Sequence, residues 1–179
     1  MSDFPDFHRP FDTRRLGHDP VREEIATSEG ERLAIAAFLD IVAVNALSVS
    51  VAVSRWSNAG IEVKAQLRAE VVQACVVTLE PVAQSIDEPF HLTFLPPHAR
   101  KVEPRTVAEA EVIVQFDEED PPDDLEGPVL DLGPLIVEQL ALALDPYPRA
   151  KGAALSDEFA AGEARKDSPF ANLARLKDK

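Results

Sequence analysis

The sequence predicts an α+β fold built on an antiparallel, strongly bent, barrel-like sheet with two main helices and a C-terminal tail helix. Three observations carry this. Residues 61–71 alternate apolar and polar side chains, the period-2 pattern of a strand wet on one face. A valine-rich run at 42–56 precedes them across the turn-forming stretch SNAG, which reads as a hairpin. Two segments, after Ser28 and after Asp131, switch to helical spacing.

Taken in order, the segment FHRPFDTRRL can pair as an edge strand, where Pro10 is tolerated. VREEIAT reads as a short strand. Ser28 and Glu31 have capping-box spacing, and Leu33, Ala37 and Ile41 then share one helical face beside Ala34 and Phe38. In SNAG, Asn58 and Gly60 can supply the positive φ of a hairpin turn. The apolar–polar alternation slips at Val71-Val72, which predicts a bulge or bend there. QACVVTL reads as a buried strand, EPVAQSIDEP as a connection or short strand, FHLTFLPP as a strand stopped by Pro96-Pro97, and EVIVQF as one more. DEEDPPDDLEG is too charged and proline-rich to pack and reads as a solvated loop. Asp131 is a good N-cap for a helix with Pro134 in its first turn. Leu135, Ile136, Gln139, Leu140, Ala143 and Leu144 make its broad apolar face, and Pro146 and Pro148 end it. Residues 1–149 are thus expected to form one domain. Residues 150–179 form a polar linker and a short helix capped by Ser168, with Phe170, Leu173 and Leu176 in one stripe.

Composition narrows the function. A net charge of -14 disfavours broad affinity for nucleic acid and favours basic partners. One cysteine cannot make an internal disulfide, which fits a reducing, cytoplasmic setting. The N-terminus has no apolar run of the signal-peptide kind, and no stretch suits a membrane span. No phosphate-binding glycine loop, HExxH pattern or EF-hand spacing occurs, so no cofactor, metal or small-molecule substrate is expected. Cys75 is read as a small buried filler with a structural role, since a nucleophile needs a base and an orienting group and its sequence neighbours offer neither. The alternative is a cysteine-dependent hydrolase or thiol protein pairing Cys75 with His91.

Three segments in order, VKAQLRAEVVQACVVTLEPV, VLDLGPLIVEQLALALDPYP and SPFANLARLK, resemble the YceD-like family, the large ribosomal RNA subunit accumulation proteins. Many relatives carry Cys-x-x-Cys at the first segment. Cys75 matches the first cysteine, and Thr78 stands where the second would be. A thiolate zinc site usually takes four soft ligands, and this chain offers one. The resemblance implies a non-catalytic role in ribosome biogenesis, supporting synthesis or accumulation of large-subunit ribosomal RNA. Partners on that reading are ribosomal large-subunit components or assembly factors, a basic ribosomal protein or the RNA itself. Asp117, Glu118, Glu119, Asp120, Asp123 and Asp124 would attract the basic partner. Phe170, Leu173 and Leu176 would dock on a groove, with Arg175 and Lys177 touching phosphates. Direct recognition of RNA by the sheet face is the other alternative.

Overall fold

The structure is a computed structural model and describes residues 4–57, 59–96 and 121–154. Strands β2 (Val21–Ala26), β3 (Ala43–Trp56), β4 (Gly60–Ala74), β5 (Pro81–Leu95) and β6 (Asp123–Asp124) form one sheet in that order. Strands β1 (Pro10–Asp12) and β7 (Val129–Asp131) pair separately as an antiparallel ribbon. Helices α1 (Glu29–Phe38) and α2 (Leu132–Ala143) complete the described chain, with one 3-10 turn at Thr13–Arg15.

The expected antiparallel, barrel-like sheet is corrected. The molecule is mostly β, its large sheet has mixed orientation, and it is neither closed nor strongly curled. Two local causes account for this. The bend expected at Val71-Val72 does not occur: β4 stays in phase, with Val71, Gln73 and then Cys75 all buried. The irregularity lies across from it on β3, where the register shifts between Val44 and Ala46. The second cause is β6. Asp123 and Asp124 lie in a stretch expected to be a solvated loop, yet they pair in parallel with Phe94 and Leu95. Strand pairing uses main-chain groups, so two exposed aspartates can extend a sheet edge without burying their carboxylates.

The long meander β3–β4–β5 presents one apolar face. Val49, Val51 and Val53 stand opposite Leu67, Ala65 and Val63, and all six are buried. Ile35 and Ala36 of α1, Leu132, Ile136, Val137 and Leu140 of α2, and Phe7, Phe11 and Leu16 of the N-terminal arm complete this core. Each fully buried large side chain here contributes about 1.5–3 kcal/mol relative to exposure.

Both helix starts are fixed by side chains. Ser28 and Glu31 form the capping box, with Ser28 N–H donating to Glu31 Oε2 at 2.7 Å and Glu31 N–H to Ser28 Oγ at 3.3 Å. Asp131 caps α2 by accepting from Gly133 N–H at 3.0 Å, and it also accepts the Arg9 N–H at 2.7 Å. The arm crosses so close to α2 that a Cβ at Gly133 would run into the Phe7 carbonyl. Among the described residues of the β3–β4 turn, Ser57 takes a positive φ (53°). Gly60 is needed for another reason: a Cβ there would lie 2.6 Å from the Phe94 carbonyl oxygen. Asn58 lies outside the described residues, as do residues 111–116, expected as a strand, and the tail expected as a helix.

Two further expectations change. QACVVTL is not a strand, because β4 ends at Ala74 and the chain reverses. Residues 81–95, read as two pieces, form one continuous strand. Pro89 looks like a break in the sequence, but the register with β4 runs unbroken past it, Pro89 standing opposite Gln66, and β6 pairs with β5 only at Phe94 and Leu95, so beyond Pro89 no strand needs its N–H.

Candidate functional site

The end of β4 and the chain leaving α2 meet at one end of the sheet. The strand delivers Gln73 and Cys75 to the core side, and the chain must then turn back within a few residues. Cys75 N–H donates to the Glu80 carbonyl at 2.8 Å, and Leu79 N–H donates to the Cys75 carbonyl at 2.9 Å. Leu79 takes a left-handed φ of 62° to close the turn. Val77 and Thr78 N–H groups then point back to Cys75 Sγ, both at 3.4 Å. The segment after α2 adds a third donor, Ala150 N–H at 3.3 Å, while Val76 N–H donates to the Pro148 carbonyl at 2.9 Å.

A pair of glutamines ties the same segment to the sheet. Gln84 Nε2 donates to the Ala143 carbonyl at 3.0 Å, and Gln84 Oε1 accepts from Asp145 N–H at 3.1 Å. Gln73 Nε2 donates to the Asp145 carbonyl at 3.0 Å. These contacts meet main-chain groups that a helix end leaves without intrahelical partners. The buried Gln73 Oε1 accepts no hydrogen bond.

Cys75 has no exposed surface, and its own turn and the chain at Ala150 close over the sulfur. Its three N–H donors distinguish it from an apolar filler. They favour the thiolate: the Ala150 N–H first, then Thr78, hold the Cys75 pKa down to about 6 against the opposing effect of burial.

The pairing of Cys75 with His91 fails on geometry. His91 projects from the open face of β5, where its Nε2 lies 2.9 Å from Glu62 Oε1. It stands opposite Lys64, ten positions along β4 from Ala74, whereas Cys75 follows Ala74 directly. At the rise of a β-strand that separation is roughly 30 Å. Among the described residues no group of three or more His, Cys, Asp or Glu side chains is placed to hold a metal.

The open face of the sheet carries the charged side of β4. A shallow trough of about 260 Å³ runs over Ser50 and Ala52 between Arg22 and Lys64. Lys64 pairs with Glu62 at 2.7 Å and Arg68 with Asp87 at 3.3 Å. The face is therefore a mixed lattice of ion pairs rather than a basic stripe.

The proposed partner-binding residues are mostly outside the described residues: Asp117, Glu118, Glu119, Asp120, Phe170, Leu173, Arg175, Leu176 and Lys177. Asp123 and Asp124 are exposed in β6, at the opposite end of β5 from Cys75. Sequence reasoning missed Gln73 and Gln84. Gln73 sits in phase with residues 61, 63, 65, 67, 69 and 71 on the buried face, but its polar side chain hides that phase in the sequence. The exposed apolar side chains at this end, Val76, Leu79, Leu142 and Tyr147, were also missed.

A family model described as Large ribosomal RNA subunit accumulation protein YceD matches residues 63–177. That span holds nearly all of β4, all of β5, the Cys75 turn and α2. The chain matches no curated protein and no solved structure. No helix among the described residues is long and apolar enough to cross a membrane.

Proposed function

The chain belongs to the YceD family of large ribosomal RNA subunit accumulation proteins, and from that membership we propose that it supports synthesis or accumulation of large-subunit ribosomal RNA by binding, not by catalysis. The family name supports a ribosome-related role, and the match over residues 63–177 is the observation that carries the proposal. The state of Cys75 favours binding over chemistry. Its sulfur is covered and engaged by three main-chain N–H groups, so a substrate would have to displace the turn to reach it.

The partner on this reading is a basic large-subunit protein or an assembly factor, in the cytoplasm. A chain with a net charge of -14 attracts such a partner and repels bare phosphate. The paired charges on the open sheet face make direct RNA readout there the weaker alternative.

The test is the ratio of large- to small-subunit ribosomal RNA in cells lacking the protein. The ratio should fall, and the parent chain should restore it. Cys75→Ser should restore it too. A folded Cys75→Ser protein that fails to rescue would overturn the binding reading in favour of thiol chemistry.

A further inference from the structure

We propose that the groove between α2 and the outer strand β5 is the docking site of the chain's own C-terminal segment, residues 168–179. The inference stands whether or not the ribosomal reading holds.

The groove measures about 340 Å³ and is lined by Leu67, Glu88, Pro89, Phe90, Gln139, Leu142 and Ala143. Its depth comes from an incomplete fit. On β5, Phe90 and Glu88 stand opposite Ala65 and Leu67 and so share their side of the sheet, yet Phe90 is only partly buried and Glu88 is exposed. On α2, Leu135, Glu138, Gln139 and Leu142 fall at helical spacing on one stripe. Leu142 is 73% exposed. Apolar side chains of Leu67, Phe90 and Leu142 thus line the groove beside one acidic side chain, Glu88.

Residues 168–179 fit this chemistry. Phe170, Leu173 and Leu176 repeat at the spacing of one helical face, the pattern of a helix laid in a groove. The last fifteen positions hold five of the chain's 18 basic residues and only two acidic ones, so the segment is basic on an acidic protein. Arg175 and Lys177 complement Glu88 of the groove and the protein's net charge of -14.

The reach also fits. The described chain ends at Ala154, just past the Ala150 contact with Cys75. Leu67, in the groove floor, lies eight positions before Cys75, roughly 25 Å at the rise of a strand. The sixteen residues from Ala154 to Phe170 have a mean span of roughly 20–24 Å if they behave as a flexible linker. A linker whose mean span matches the gap gives an effective concentration of about millimolar.

The test uses the full chain and amide hydrogen exchange by NMR. In the parent, amides within 168–179 should be protected at least tenfold over an unstructured peptide. Leu142→Glu, at an exposed position, should abolish that protection and lower the melting temperature no more than removal of residues 168–179 does. Phe170→Asp should reciprocally shift the resonances of Phe90, Gln139 and Ala143. Unprotected amides in the parent would overturn the proposal. So would protection that survives Leu142→Glu, which would place the segment elsewhere, and so would groove resonances indifferent to Phe170→Asp, which would leave the groove to residues 97–120 or a separate partner.

Discussion

Cys75 owes its acidity to main-chain N–H groups, and this gives its contribution a definite pH sign. Its folded pKa of about 6 lies below the ordinary 9.0. A depressed folded pKa adds stability that is fully present above the unfolded value and is lost as pH falls through the folded one. The melting temperature of the parent relative to Cys75→Ser should therefore rise from pH 6 to pH 9. A difference that is flat with pH would mean the thiol stays neutral. Two glycines offer a matched contrast. Gly133→Ala drives a methyl into the Phe7 carbonyl and should cost about 3 kcal/mol, visible as a lower denaturation midpoint. Gly30 lies within α1 with nothing within 4 Å of its added Cβ. Gly30→Ala should stabilise by roughly 0.5–1 kcal/mol.

The helix ends make predictions of the same kind, one start and one finish. Ser28→Ala removes the cap of α1 and should cost about 1 kcal/mol in chemical denaturation. Gln84→Ala releases the Ala143 carbonyl and the Asp145 N–H together. It should cost about 1–2 kcal/mol and speed hydrogen exchange at Asp145 more than at Leu140. These elements differ in how legible they were. The β3–β4 hairpin could be read because burial on one face and water on the other leave a period of two. The Ser28 box and the Asp131 cap could be read because caps act over three residues. The path after Gln73 could not, because a polar residue on a buried face mimics a slip in phase. Its Nε2 donates to the carbonyl of Asp145, 72 positions away, and only the folded chain brings that carbonyl near. Strand β6 was hidden for the opposite reason: main-chain pairing at a sheet edge leaves no trace in side-chain pattern. Of the proposed partner site, only Asp123 and Asp124 fall among the described residues, and nothing local marked them as a strand.

Across the whole molecule, carboxylates hold the helix starts and the open face. Asp131 is raised by burial, but the Arg9 N–H and His8 hold it below its usual value. Glu31 is likewise raised by burial and brought down further by Ser28 and Arg9, and Lys64 lowers Glu62. Each contribution is present above the unfolded carboxylate pKa of about 4 and is lost as pH falls through the lower folded value. Acid unfolding should therefore shift to higher pH in Glu31→Gln, as read by circular dichroism; an unmoved transition would remove Glu31 from the account. The hydrogen bond from Arg9 N–H to Asp131 spans 122 positions, and the β1–β7 ribbon joins the same distant segments. A chain emerging from synthesis can close the β3–β4–β5 meander early, since its pairings are local. Its N-terminal arm can meet Ala26, Glu31 and Arg55 early, but its contacts with Asp131 and Gly133 wait for α2, and until then the core is unsealed. Sealing is thus the late event, with a high loop-closure cost. Changes in the arm should quicken unfolding while leaving the folding rate nearly untouched, and the half-made protein is the form most in need of a chaperone.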